Sequence, residues 1–241
     1  MPHQPRVIRK TDDISPREFL HNSQHLAEYI RWYISQGKSM WISQRNGRTK
    51  DGIDATDQGV LKMLSLSGPN DFVENFSEFG IAPIAISYQY EPCDIKKAIE
   101  TTVALMGGTY QKGKNEDVNS ILYGIRMPKG DVNISICEPI TREEIEECGK
   151  LPKAEAYKLL KDIIDKRIYK NYKLHDTNYI AHDILHRSKQ YADHYTAAAV
   201  KKFKGRMAYA EARFLEYGLD LRTARKVYLG IYAGPVDTKI E

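Results

Sequence analysis

The sequence predicts an α/β fold: a partial mixed sheet flanked by helices, with a helical C-terminal extension. Two short apolar runs, 39–43 and 81–88, stand between stretches of helical periodicity. Two further runs, 121–126 and 132–137, are joined across Pro128-Lys129-Gly130-Asp131 and read as a hairpin. Beyond residue 141 the apolar spacing is helical throughout. These observations divide the chain into an α/β domain over 1–150 and a basic, tyrosine-rich helical extension over 151–241, with a seam near Lys150-Leu151-Pro152.

Each element has its own local reason. Ser15-Pro16-Arg17-Glu18 is a capping box with proline at the first helical position. Phe19, Leu26, Ile30 and Tyr33 then recur at helical spacing, and Gly37 takes the C′ place. The run 39–43 reads as a short buried strand, with 44–52 as the loop leaving it. Val60, Leu61 and Leu64 mark the next helix, Gly68-Pro69 a turn, and Asp71 with Glu74 the start of another helix. The run 81–88 suggests a strand covered on both faces, in which Pro83 sits near an edge or a strand start because it cannot donate to the ladder. Ile95, Ile99, Thr102 and Met106 stripe a helix over 94–106, and Thr141-Arg142-Glu143-Glu144 is a second capping box. Leu160, Ile163, Ile164 and Ile168 form one further helix, followed by segments near 176–188, 190–203, 206–217 and 219–232.

Composition narrows the functional classes. The chain is 41% hydrophobic and 28% charged, with a formal net charge of +4, which does not by itself announce a nucleic-acid protein. That charge is uneven: residues 1–150 hold 18 basic and 21 acidic side chains, whereas 151–233 hold 17 and 9, together with 10 of the 16 tyrosines. A basic, tyrosine-rich half can face nucleic acid or anionic lipid, or be an ordinary solvated helical face. No nucleic-acid motif accompanies it, so nucleic acid is not expected as a partner. Cys93, Cys137 and Cys148 form no C-x-x-C pair and no even framework, which points to a reducing compartment and to small core residues. No apolar run approaches the 18 or so residues of a spanning helix, and MPHQPRVIRK lacks a signal-peptide core, so a cytoplasmic protein, peripheral on a membrane at most, is expected.

Three motifs bear on chemistry. Gly108-Thr109-Tyr110-Gln111-Lys112-Gly113-Lys114-Asn115 nearly spells a P-loop, but Asn115 stands where a hydroxyl should bind Mg²⁺, and a helix rather than a strand precedes it. It reads as a polar loop. His182 and His186 lie one helical turn apart, a geometry that can bind Zn²⁺. His175 and His194 share the region, but no third ligand is evident, and no metal is assigned. The loop Gln44-Arg45-Asn46-Gly47-Arg48-Thr49-Lys50-Asp51-Gly52 carries three cations, two glycines and a place after a strand, where α/β sheets bind ligands. Its arginine forks match phosphate oxygens, and a solvated turn is the alternative.

Trp41-Ile42-Ser43-Gln44-Arg45-Asn46-Gly47-Arg48-Thr49-Lys50-Asp51-Gly52 resembles the third conserved block of the phospholipid/glycerol acyltransferase family. Gly47, Arg48 and Thr49 match that block, and Asn46 stands in place of its glutamate. Ile81-Ala82-Pro83-Ile84-Ala85-Ile86 is similar to the fourth block, and Val7-Ile8-Arg9-Lys10 to the tail of the second. The pieces follow the family's order over residues 6–90 or so, and Ala233-Gly234-Pro235 resembles the long C-terminal extension of one bacterial branch. The resemblance implies transfer of a fatty acyl group from acyl-CoA or acyl-carrier protein, as co-substrate, to the hydroxyl of a lysophospholipid such as lysophosphatidic acid, with no other cofactor. It implies that Arg9 and Arg48 hold the acceptor phosphate, that Gly47 and Thr49 shape the loop, that Asn46 substitutes for the glutamate, and that the basic helices rest on an anionic membrane surface. The family's general base belongs to a His-x4-Asp block. Five positions after each histidine stand Ile8, Leu26, Ile30, Ile180, Arg187, Tyr191 and Ala199. The chain is therefore expected to lack that N-terminal block, no catalytic residue is assigned, and a non-catalytic protein binding anions or lipid surfaces is the alternative.

Overall fold

The computed structural model describes residues 15–45, 49–111 and 113–239. Helix accounts for 61% of it, and the sheet has two antiparallel strands. Helices and a sheet are thus both present, but helix predominates. The elements are α1 (Pro16–Ser35), α2 (Gln58–Leu64), α3 (Phe72–Ser77), β1 (Ile84–Tyr88), α4 (Asp94–Leu105), α5 (Glu116–Arg126), β2 (Val132–Ile136), α6 (Arg142–Gly149), α7 (Lys153–Asn171), α8 (Asp176–His186), α9 (Ala197–Glu216) and α10 (Leu221–Thr238). They fall into two compact units, one of residues 1–48, 55–83 and 136–168, the other of 49–54, 84–135 and 169–241.

Two expected strands are absent. Residues 39–43 form no strand and Trp41 is 67% exposed: among the described residues the two strands pair with each other, and none offers that run a ladder. Residues 121–126 belong to α5, not to a hairpin. Val118, Ile121, Leu122 and Ile125 recur at i, i+3, i+4 and i+7, a helical period that overrides the strand reading of the run. Strand β2 instead pairs with β1, and Pro83 stands immediately before β1. The segments expected near 190–203 and 206–217 are replaced by a 3₁₀ turn at Ala192–His194 and the continuous α9.

In the first unit, Ser15 caps α1 by accepting from the Glu18 N–H at 3.2 Å, and Thr141 with Glu144 completes the capping box of α6. Arg31, from α1, donates to the Ser67 carbonyl and Asn75 Oδ1, both at 2.8 Å, pairs with Glu78, and lies 4.3 Å from the Phe79 ring centre. Buried Asn75 in turn donates to the Pro69 and Ser67 carbonyls, so the turn 65–69 is held by side chains rather than by a ladder. Asp165 of α7 accepts from the N–H and hydroxyl of Thr56 at 2.8 and 2.6 Å.

The second unit is built around α10. Its buried Tyr228 and Tyr232 meet Phe203 and Phe214 of α9, Ala98 and Ile99 of α4, and Ile180 and Ala181 of α8 in one apolar core. Asn178 of α8 accepts from the His175 N–H at 2.7 Å and donates to the Tyr232 carbonyl at 2.8 Å, fixing the start of α8 against α10. Pro235 lies inside α10 and has no N–H to offer the Ile231 carbonyl four residues back. The segment 49–54 settles there. Gly52 has φ +78°, and a Cβ on it would stand 2.1 Å from the Ile231 oxygen. A Cβ on Gly234 would stand 2.5 Å from the Asp51 oxygen.

Candidate functional site

Of the residues expected to bind substrate, Arg9, Asn46, Gly47 and Arg48 lie outside the described residues. Thr49 is described: its hydroxyl donates to Asp54 within the segment. Lys50 Nζ is 2.7 Å from Glu100 Oε1, and Asp51 accepts from the Ile53 N–H at 3.1 Å. These side chains therefore tie 49–54 to itself and to α4.

The same segment borders a shallow hollow of about 240 Å³, lined by Lys50, Asp51 and Ile53 on one side and by Leu185, Gly230 and Asp237 on the other.

Asp237 also faces the histidine pair of α8. Its Oδ1 is 3.4 Å from His182 Nε2, the His182 and His186 rings are 4.3 Å apart, and one ligand atom from each of the three residues lies within 4.8 Å of the others. His182 is buried, its Nδ1 has no hydrogen-bond partner, and Asp183 Oδ1 is 3.9 Å from that nitrogen. Asp183 is held in place by Ser188 Oγ at 2.5 Å, the Tyr191 N–H at 3.1 Å and the Tyr195 hydroxyl at 2.7 Å. Burial alone would raise its pKa, but donation from Ser188, Tyr195 and the Tyr191 backbone leaves it below the ordinary aspartate value. The reciprocal bond to Asp183, with burial behind it, pushes the Tyr195 phenol up to about 12. This is the group of His, Cys, Asp and Glu side chains among the described residues that could hold a metal ion. Sequence spacing shows the i,i+4 histidines; Asp237 is 51 positions beyond His186 and has no local signature.

A second cluster centres on buried Asp94, with Arg206 reaching it from a partly exposed position. Asp94 accepts from Arg206 Nε at 2.8 Å, Tyr228 at 2.9 Å and Tyr232 at 2.7 Å. Burial first, then the Asp94 charge, drives both phenol pKa values upward. The two Asp94 oxygens are thus satisfied by three side chains and the Ile95 N–H, as a buried structural carboxylate requires.

One surface feature remains. The apolar stripe of α5 faces outward: Val118, Ile121, Leu122 and Ile125 are between 44% and 69% exposed, and Val132 and Ile134 of the following strand are exposed as well. No described helix is long and apolar enough to cross a membrane. No protein-family model matches the chain, and neither does any curated protein or solved structure.

Proposed function

We propose that the chain binds an anionic lipid surface peripherally, with the outward face of α5 entering the interface. The observation that carries this reading is the exposed i, i+3, i+4, i+7 stripe of α5, an apolar patch that an isolated water-facing helix does not keep without cause. The unit that bears the stripe is net positive, while α5 itself carries Glu116 and Asp117 against Arg126. The second unit holds 20 Lys and Arg against 16 Asp and Glu, so the chain's whole formal +4 belongs to the unit bearing the stripe.

Acyl transfer is the finer reading, favoured by the three acyltransferase-like blocks in order over residues 6–90. In it Arg9 and Arg48 hold the phosphate of a lysophospholipid, Asn46, Gly47 and Thr49 form the loop, and acyl-CoA or acyl-carrier protein donates. The Thr49–Asp54 bond suits the loop-shaping role given to Thr49. No His-x4-Asp occurs in the sequence, so this reading names no general base. The site of action would be the cytoplasmic face of a membrane.

Co-sedimentation with vesicles of neutral lipid and with vesicles containing anionic lipid tests the proposal. The chain is expected to pellet with the anionic vesicles, and Ile121→Glu/Ile125→Glu to lose at least tenfold in partitioning. Equal recovery of both proteins in the supernatant would overturn it. An acyl-transfer assay on the same samples, with lysophosphatidic acid and acyl-CoA, distinguishes the finer reading: turnover favours it, and binding without turnover favours the non-catalytic one.

A further inference from the structure

We propose that His182, His186 and Asp237 form a binding site for a divalent transition metal, with Zn²⁺ as its occupant. The proposal is independent of the lipid reading. An i,i+4 histidine pair on a helix is ordinarily a surface feature, and α1 carries one in His21 and His25, whose rings are 4.5 Å apart. What distinguishes the α8 pair is a carboxylate delivered from the last turn of α10. Two imidazoles and one carboxylate form a donor set of the kind zinc takes from proteins, with a fourth position left for water. Zinc bonds of about 2.0–2.1 Å in tetrahedral geometry place neighbouring ligand atoms roughly 3.3 Å apart. The His182 Nε2–Asp237 Oδ1 distance is 3.4 Å, the edge of such a tetrahedron.

The surroundings of His182 fit a ligand more than a packed aromatic. A buried histidine normally satisfies both ring nitrogens, whereas this one leaves Nδ1 unpaired and presents Nε2 to a carboxylate. With Nε2 on the metal, the proton resides on Nδ1, which faces Asp183 Oδ1 at 3.9 Å. At that separation Asp183 acts as a nearby negative charge that favours a proton on Nδ1, not as a hydrogen-bond acceptor. Asp183 is already immobilised by Ser188, Tyr191 and Tyr195. Tyr191 packs edge-on against the His182 ring at 4.9 Å, which limits the ring's rotation. His186 and Asp237 are exposed, so the ion has an entry path and the fourth position is open to solvent.

The chain should be freed of metal by chelation and titrated with Zn²⁺ by calorimetry, with thermal unfolding followed in parallel. One high-affinity equivalent is expected, and zinc at a hundred times the Kd should raise Tm by roughly 5–10 °C. His186→Ala and Asp237→Asn alter exposed side chains, so both variants should keep the metal-free Tm; each should weaken zinc affinity at least tenfold. His21→Ala/His25→Ala should leave the high-affinity event unchanged. The absence of a one-equivalent event, its survival in both His186→Ala and Asp237→Asn, or its loss in His21→Ala/His25→Ala would overturn the proposal.

Discussion

Asp94 shows what a single buried charge demands of its neighbours. It is almost fully enclosed, and three donors converge on one of its oxygens. Asp94→Ala would leave Arg206 and two phenols without their acceptor, so a loss of about 3–5 kcal/mol is expected in urea denaturation. Tyr232→Phe removes one donor to Asp94 and the acceptor of the Glu91 N–H, and should cost about 1–2 kcal/mol. His175 makes a prediction about pH. Burial first, then Lys173, lowers its pKa below 6.5, with Asp131 and Asp176 opposing. The unfolded chain therefore takes up a proton that the folded chain refuses. This residue's contribution to stability should fall as pH drops below about 6.5 and level off below the lowered folded value. The slope it adds is at most about 1.4 kcal/mol per pH unit. Denaturation at pH 7.5 and pH 5 should show a smaller pH difference in His175→Gln than in the native chain.

At the scale of elements, two helical glycines should answer oppositely to the same substitution. Gly205 in α9 has nothing within 4 Å of an added Cβ, so Gly205→Ala should gain about 0.5–1 kcal/mol of helix propensity. Gly234→Ala meets the Asp51 carbonyl and should lose about 1–3 kcal/mol despite the same propensity gain, as paired thermal melts would show. Helices with local start signals were legible in the sequence: Ser15 before α1, Asp71 before α3 and Thr141 before α6 each make the capping bond that their spacing implies. The missing strands have physical causes. An apolar run such as 39–43 becomes a strand only where another strand accepts its hydrogen bonds, and partners of that kind are set by tertiary structure. In 121–126, propensity pointed to strand while period pointed to helix, and the period prevailed, with Glu116 and Asp117 placing favourable charge in the first turn.

Over the whole molecule, charge and apolar exposure coincide in the second unit, so lipid association should combine a salt-sensitive part with a salt-resistant one. Raising ionic strength from 0.1 to 1 M shortens the screening length from about 10 to 3 Å. Vesicle partitioning of the native chain should therefore fall with salt and then plateau, while Ile121→Glu/Ile125→Glu lowers the plateau. The site was only half legible. A charged loop and a histidine pair are visible as spacing, but the side chain that completes the histidine pair and the helix that receives the loop arrive from far along the chain. Pro235 and Gly52 carry the last consequence. A proline that withholds one amide makes room beside a carbonyl, and a glycine some 180 positions earlier occupies that room. Neither position can be redesigned alone: changes at 51–52 and at 231–235 should be strongly non-additive, so the front and back of this polypeptide behave as one mutational unit.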